Sequence, residues 1–171
     1  AFGADIYLAE GNLTVDGCTF NSTTATYGGA CLAMNSKSPA GEKDAEAYAK
    51  LKAVVKNCTF NNIKTGTSLT DGAEDGPCGV ISCVHGDITV EGCAFDGCEG
   101  KSGTIVALAS RPSRWGYKFG NALLKMNNCV IKNSSLVRLG LIYINGKDGD
   151  WSDDPSRRSA AFINNTAFIN T

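Results

Sequence analysis

The sequence predicts an all-β fold, a parallel β-helix solenoid of about five rungs with three short strands each. A short phrase recurs five times, its apolar positions alternate, and glycine or asparagine occupies one fixed place before its end. Self-similarity at a period of a few tens of residues is typical of solenoids, in which each unit buries its face only against its neighbours. The five copies are LTVDGCTF (13–20), AVVKNCTF (53–60), ITVEGCAF (88–95), LKMNNCVI (124–131) and AFINNTAF (161–168).

Each copy of this phrase reads as a half-buried strand followed by a sharp bend. In the first copy Leu13 and Val15 alternate with polar residues, and Cys18 and Phe20 continue the pattern after a small break. The residue just before the cysteine position is glycine or asparagine in all five copies. These two residue types tolerate positive φ, so we expect one bend per rung at this position.

A second phrase precedes most copies of the first. It reads ADIYLA (4–9), GACLAM (29–34), GVISCV (79–84), GTIVAL (103–108) and GLIYIN (140–145). Alternation predicts two inward columns, which are Ile6/Cys31/Ile81/Ile105/Ile142 and Leu8/Ala33/Cys83/Ala107/Ile144. The shortest circuit, from Gly79 to Gly103, spans 24 residues, which is room for three short strands and three turns.

Both phrases resemble the repeats of a known family. Gly28-Gly29-Ala30-Cys31 and the Cys-Thr-Phe-Asn strand ends are similar to the GGA-(Ile/Leu/Val) and FxxN repeats of the polymorphic outer-membrane-protein family, and residues 162–165 match FxxN. More broadly, the chain resembles the right-handed parallel β-helices of the pectin-lyase-like superfamily over nearly its whole length. The family resemblance implies surface-exposed, adhesive or passenger-type domains. The superfamily resemblance implies polysaccharide lyases, hydrolases and phage tailspikes.

Residues 1–171 are expected to form one β-helix domain. The strand pattern reaches both ends of the sequence without a polar capping unit, which favours a segment of a longer solenoid or one that stacks on other copies. Insertions interrupt the repeat near 35–50, 65–76, 110–121 and 146–159. All but the second fall at one corner, and the helix formers within 41–50 predict a short surface helix.

Two of these insertions carry the candidate ligand-binding residues, because solenoids place function in their loops. These residues are Arg111, Arg114, Trp115, Tyr117 and Trp151. Tryptophan faces stack on sugar rings and arginine binds hydroxyls, which would suit a glycan or a host-surface partner. The alternative is that the rings pin the loops onto the solenoid wall.

No cofactor is expected from the sequence, with calcium as the possible exception. The candidate ligands are Asp148, Asp150, Asp153 and Asp154, because carboxylate oxygens are hard ligands. Their spacing does not match an EF-hand loop, and solvated turn carboxylates paired with Arg157 and Arg158 are the alternative.

The eight cysteines are interpreted mainly as buried free thiols. Cys18, Cys58, Cys93 and Cys129 share one inward column, whereas Cys78 and Cys98 fall outside the strand columns near one corner and are the expected disulfide. A zinc site at the 78/83 and 93/98 pairs is the alternative, at a spacing that differs from the usual ribbons. The single histidine, His85, lies at a strand end and is interpreted as a solvated edge residue.

Five Asn-x-Ser/Thr sequons favour a secretory route and an extracellular or cell-surface location; the alternative is that asparagine-rich turns followed by threonine-rich strands create them for structural reasons. Asn57 falls in the bend column, so the expected acceptors are Asn21 and Asn133, followed by Asn12 and Asn164. A net charge of −1 shows no excess of basic residues of the kind that binds nucleic acid. No apolar run reaches the length of a transmembrane segment.

These features favour a non-enzymatic extracellular structural or adhesive module, a unit of a surface fibre or filament whose partners are other copies or neighbouring segments stacked end to end. The alternatives on the same scaffold are a phage-type receptor-binding spike and a polysaccharide-active lyase or hydrolase. The enzyme would use Asp148, Asp150 and Arg114, with Trp115 and Trp151 as sugar platforms. Catalytic carboxylates on β-helix hydrolases instead project from the strands of neighbouring rungs, where Ser82, Val106 and Tyr143 are expected, which argues against that alternative.

Overall fold

The computed structural model describes residues 5–25, 29–34, 51–66, 79–83, 86–109, 122–138, 140–145 and 159–171, and every regular element among them is a β-strand. The first rung contains β1 (Ile6–Leu8), β2 (Asn12–Asp16), β3 (Thr19–Asn21) and β4 (Thr24–Ala25). The second contains β5 (Leu32–Met34), β6 (Leu51–Lys56), β7 (Thr59–Asn61) and β8 (Lys64–Thr65). The third contains β9 (Ile81–Cys83), β10 (Gly86–Glu91), β11 (Ala94–Asp96) and β12 (Glu99–Ser102). The fourth contains β13 (Val106–Ala109), β14 (Ala122–Asn127), β15 (Val130–Lys132) and β16 (Ser135–Arg138), and the fifth contains β17 (Ile142–Asn145), β18 (Ala160–Asn164) and β19 (Ala167–Ile169).

Equivalent strands of successive rungs pair in parallel and form four sheets. We name them sheet A (β1-β5-β9-β13-β17), sheet B (β2-β6-β10-β14-β18), sheet C (β3-β7-β11-β15-β19) and sheet D (β4-β8-β12-β16). The predicted all-β parallel solenoid of about five rungs is confirmed, with four short strands in a complete rung instead of three. No helix in the described part of the chain is long and apolar enough to cross a membrane.

The core is a set of ladders in which like residues of successive rungs lie over one another. Phe20, Phe60 and Phe95 stack nearly parallel, with ring centroids 4.9 and 4.7 Å apart. This separation equals the spacing of paired strands, about 4.8 Å, so the ring stack follows directly from the register. The buried apolar cluster draws on sheet A as well as on the inward columns of sheets B and C.

Two bends per rung explain the fourth strand. The predicted bend column, just before the cysteine position, has positive φ in all five rungs, at Gly17, Asn57, Gly92, Asn128 and Asn165. A second column, five residues later, has the same conformation at Ser22, Asn62, Gly97, Asn133 and Asn170. It separates sheet C from sheet D and was not predicted.

The register of sheet A differs by one residue from the predicted columns in two rungs. The inward columns are Ile6/Leu32/Ile81/Val106/Ile142 and Leu8/Met34/Cys83/Leu108/Ile144. Cys31 and Ile105 were expected in the first inward column, but each lies just before its strand and is buried there. Ala33 and Ala107 were expected in the second inward column, but they align with Ser82 and Tyr143 on the other face of the sheet. Leu32, Ala33, Val106 and Ala107 are all buried, so alternation in the sequence does not distinguish the two faces in these rungs.

Cys98 lies between β11 and β12, outside the strands as predicted, but its side chain belongs to the buried core. It follows the second bend, is fully buried, and its backbone N–H donates to Ser134 Oγ of the next rung at 3.2 Å. Cys98 is therefore an inward member of a column and a free thiol in this structure. Its expected disulfide partner, Cys78, lies outside the described residues.

Candidate functional site

The corner between sheets A and B is where the rungs differ most. The first rung crosses it in three residues, 9–11, and the third rung in two, 84–85. In the second, fourth and fifth rungs the crossing takes 35–50, 110–121 and 146–159. Since β13 pairs with β17 and β14 pairs with β18, the last two insertions leave and re-enter the solenoid one rung apart.

A direct contact joins the points at which these two insertions re-enter. Ser159 Oγ accepts a hydrogen bond from the backbone N–H of Ala122 at 3.1 Å. Ala122 begins β14, and Ser159 directly precedes β18. Insertions 110–121 and 146–159 are therefore rooted side by side on the fourth and fifth rungs, and we call this region the loop corner.

Most of the predicted site residues lie on the insertions and outside the described residues. These are Arg111, Arg114, Trp115, Tyr117, Trp151, Asp148, Asp150, Asp153 and Asp154, together with His85 and the expected helix in 41–50. Ligand binding and calcium binding at the loop corner therefore stay predictions. Within the described ranges, no group of three His, Cys, Asp or Glu side chains is arranged to hold a metal ion.

The two bend columns carry polar contacts between rungs that sequence reasoning missed. Asn57 Nδ2 donates to Asp16 Oδ1 at 3.0 Å, and Lys56 Nζ lies 3.1 Å from Asp16 Oδ2. Asp16 ends β2, and Lys56 is its register partner in β6. One carboxylate on the first rung is thus bound by both a lysine and an asparagine of the second.

The same arrangement recurs at the second bend, two rungs further along. Asn133 Nδ2 donates to Asp96 Oδ1 at 2.9 Å, and Lys132 Nζ lies 3.0 Å from Asp96 Oδ2. In both places an Asp-Gly dipeptide lies against a Lys-Asn dipeptide of the following rung. The sequence signal was therefore present, as Asp-Gly and Lys-Asn at equivalent positions.

These contacts favour the charged form of both carboxylates. The hydrogen bond from Asn57 and then that from Lys56 lower the pKa of Asp16 below its ordinary value. The hydrogen bond from Asn133 and then that from Lys132 lower the pKa of Asp96 in the same way. A general acid in glycoside hydrolysis needs a raised pKa, so neither carboxyl group is suited to that role.

The described cysteines other than Cys18 form a set of buried thiols. After the first bend, Cys58 Sγ and Cys129 Sγ donate to the carbonyl oxygens two residues earlier, at 3.1 and 3.2 Å. Thr166 Oγ1 makes the same contact in the fifth rung at 3.0 Å. Burial raises the pKa of Cys58, raises that of Cys31 strongly, and raises that of Cys98 to about 11. These three thiols are therefore protonated at neutral pH and are poor nucleophiles.

The sequons divide according to which atom of the asparagine side chain is already bonded. Asn57, Asn133 and Asn164 each use Nδ2 as a donor to a neighbouring rung. Asn21 instead contributes Oδ1, which accepts from Asn61 Nδ2 at 2.9 Å. N-glycosylation occurs at Nδ2, so this pattern favours Asn21 over Asn133 among the expected acceptors.

Comparisons with known proteins add no relative, since no family model, no curated protein and no solved structure matches this chain.

Proposed function

We propose that this chain is a non-enzymatic extracellular module with a structural or adhesive role, a unit of a surface fibre that displays its loop corner. The observation that carries the proposal is the contrast between constant rungs and the corner between sheets A and B, where three of the five rungs carry long insertions; the corner between sheets D and A carries one long crossing, 66–80. Backbone register continues through all five rungs of sheets A, B and C, whereas the crossing from sheet A to sheet B varies from 2 to 16 residues. A repeated scaffold with insertions on one side is the usual architecture of a solenoid that presents a binding surface.

The outer polar surface supports the same role. Its ion pairs and asparagine contacts join one rung to the next, as between Asp16 and Lys56 and between Asp96 and Lys132. Charged groups used in this way stabilise the register of the stack. The pKa values of both aspartates are lowered, which suits permanent partners of lysine better than acid catalysts.

The proposed extracellular location rests on the sequons. Asn21 is the strongest candidate acceptor, because it is exposed and its hydrogen bond uses Oδ1 and not Nδ2, the atom that is glycosylated. Mass spectrometry of protein secreted from eukaryotic cells is expected to find a glycan at Asn21. Asn57, whose Nδ2 is bonded and whose φ is positive, serves as the internal comparison and is expected to be unmodified.

Removal of the loop corner tests the display role. In this variant, residues 110–121 and 146–158 are each replaced by Ala-Glu-Gly, the crossing that the first rung uses at 9–11. The expected result is an unchanged thermal transition, with loss of binding to glycan arrays and cell surfaces. A variant with the same replacement of 35–50, which lies two rungs from the fourth, is the matched control and is expected to keep its binding.

Turnover distinguishes this proposal from an enzyme. Incubation with neutral and acidic polysaccharides is expected to release neither reducing ends nor unsaturated products. Release that disappears in Asp148→Asn or Asp150→Asn would overturn the proposal in favour of a hydrolase or lyase at the loop corner.

A further inference from the structure

Cysteines of successive rungs lie over one another just after the first bend. The column contains Cys18, Cys58, Cys93 and Cys129, and Thr166 continues it on the fifth rung. The pairing of β10 with β14 and of β11 with β15 fixes the register on both sides of this position between the third and fourth rungs. Cys93 and Cys129 are therefore direct neighbours in two internal rungs.

The separation of this pair suits a disulfide. Paired strands lie about 4.8 Å apart, so the Cα atoms of two residues in register are separated by about that distance. Disulfides need Cα atoms roughly 4.4–6.8 Å apart. Cys93 and Cys129 are 2% and 1% exposed, and both are free thiols in this structure. A bridge between them requires rotation of the two side chains and no change of strand register.

The two thiols already interact with each other. A hydrogen bond between them lowers the pKa of Cys129 and, together with burial, raises that of Cys93. Cys93 is thus the donor, and the sulfur of Cys129 is the acceptor. Cys58, the neighbour of Cys93 on the second rung, differs, because burial is the main cause of its raised pKa. A lower pKa increases the thiolate fraction, so Cys129 is the better nucleophile of the pair.

Cys93 is also held less closely by the backbone than the thiols on either side of it. Its Sγ lies 3.4 Å from the carbonyl oxygen of Glu91, two residues earlier. The equivalent distances are 3.1 Å for Cys58 and 3.2 Å for Cys129. The longer contact is the weaker one, so Cys93 loses the least when its side chain turns towards a neighbouring thiol.

From this geometry we propose that Cys93 and Cys129 form a disulfide that ties the third rung to the fourth when the chain meets a small disulfide oxidant such as oxidised glutathione. The thiolate of Cys129 attacks one sulfur of the oxidant, releases one glutathione thiolate and leaves a mixed disulfide on Cys129. The thiolate of Cys93 then attacks the Cys129 sulfur and releases the second glutathione thiolate. The two thiol protons pass to the released thiolates, so the pair loses two electrons and one oxidised glutathione becomes two reduced ones.

The bridge fastens the rung that carries part of the loop corner. Cys129 lies between β14 and β15, and β14 begins at Ala122, where insertion 110–121 re-enters the solenoid. A covalent tie to the third rung restricts the unfolded chain and so favours the folded stack. Oxidants of this kind belong to the secretory route, so the role of the bridge in the cell rests on the proposed extracellular location.

Peptide mapping of the full chain tests the pair. Protein purified under reducing conditions is incubated with oxidised glutathione just below its urea midpoint, where rungs open frequently, and is then alkylated. Trypsin releases Cys129 on residues 126–132, and Glu-C with Asp-N releases Cys93 and Cys98 on separate peptides. The expected product is a pair of peptides joined through Cys93 and Cys129, which separates on reduction.

Serine variants connect the link to stability. Serine suits this column, because Thr166 Oγ1 makes the same contact to the carbonyl oxygen two residues earlier at 3.0 Å. Cys58→Ser is the matched control, since it removes a thiol of the same column one rung away. Oxidation is expected to raise the urea midpoints of wild type and Cys58→Ser equally, and to raise that of Cys129→Ser less or not at all.

Three results would each overturn the proposal. The first is a wild-type map without the linked peptides, and the second is a link from Cys93 to Cys58 in their place. The third is a rise in urea midpoint that is as large in Cys129→Ser as in wild type.

The disulfide and the extracellular location fail separately. The peptide map uses purified protein and an oxidant supplied in the buffer, so its result does not depend on where the chain is located. A linked pair in a secreted chain that carries no glycan at Asn21 would contradict the evidence for location alone. A glycosylated chain without the link would contradict the disulfide alone.

Discussion

Asn57 donates its Nδ2 to Oδ1 of Asp16 across 3.0 Å and so ties the bend of the second rung to the strand end of the first. Asn57 has a φ of 53°, a conformation that asparagine and glycine tolerate better than other residues. The bend therefore needs asparagine or glycine for its backbone, and asparagine adds a hydrogen bond that glycine cannot make. Asn133, with a φ of 50°, does the same for Asp96.

The first prediction concerns the pKa of Asp16. Asn57→Gly keeps the positive φ and removes the largest contributor to the lowered pKa, so this pKa is expected to rise towards its ordinary value. Carboxyl chemical shifts followed by NMR over an acid titration give the measurement. Asn128→Gly, at the equivalent bend two rungs away, is the control, and a similar rise in that variant would contradict the assignment.

The second prediction is the direction of acid destabilisation. The pKa values of Asp16 and Asp96 are lower in the folded state, so their contribution to stability is present above the unfolded pKa, about 3.9, and is lost as pH falls through the folded values. Asp16→Asn combined with Asp96→Asn should therefore flatten the fall in urea midpoint between neutral and strongly acidic pH. An equally steep fall in the double variant would assign acid sensitivity to other groups.

The third prediction concerns the phenylalanine stack. Phe60 is 1% exposed and stacks between Phe20 and Phe95, so Phe60→Ala is expected to lower the free energy of unfolding by about 3–5 kcal/mol. Phe162, which is 58% exposed, supplies the control, since Phe162→Ala removes an equal side chain from the outer surface. Chemical denaturation measures both, and a loss below about 1 kcal/mol for Phe60→Ala would mean that this ladder is not the core.

The fourth prediction separates two reasons for glycine at the corner between sheets A and B. A Cβ on Gly86 would lie 2.6 Å from the backbone oxygen of Leu51, so Gly86→Ala should cost about 1–3 kcal/mol through overpacking. Gly11 has a φ of 82° and open space around it, so Gly11→Ala should cost about 1–2 kcal/mol through backbone strain.

Asparagine at each site decides between these causes, again by chemical denaturation. Gly11→Asn should recover much of the stability lost in Gly11→Ala, because asparagine tolerates positive φ. Gly86→Asn should be worse than Gly86→Ala, because the side chain is larger. Recovery at Gly86 would show that space is not the constraint there.

The fifth prediction concerns thiol reactivity. Cys18 is exposed, whereas Cys58 and Cys98 are buried and have raised pKa values. Iodoacetamide at neutral pH is expected to label Cys18 in the native protein and to label the other two only after unfolding. Peptide mass spectrometry before and after denaturant measures this, and rapid native labelling of Cys98 would contradict its inward position.

The fold followed from the sequence where a column contained one kind of residue. Glycine or asparagine before the cysteine position predicted the first bend, and alternation around Leu13 and Val15 predicted the inward face of sheet B. The second bend carries a similar asparagine and glycine signal at Asn62 and Gly97, but it lies two residues beyond the end of the recurring phrase, so the phrase pattern did not include it.

Tertiary structure decided the register of sheet A and the polar contacts between rungs. Leu32 and Ala33 are both apolar and both buried, so the sequence alone leaves their faces equivalent, and the pairing of Leu32 with Ile81 selects one of them. Lys56 and Asp16 are 40 residues apart in the chain and become neighbours only when the second rung lies on the first. Local periodicity determines which residues face inward where apolar and polar residues alternate, as in sheet B. Contacts between rungs depend instead on the length of each circuit, which only the closed coil settles.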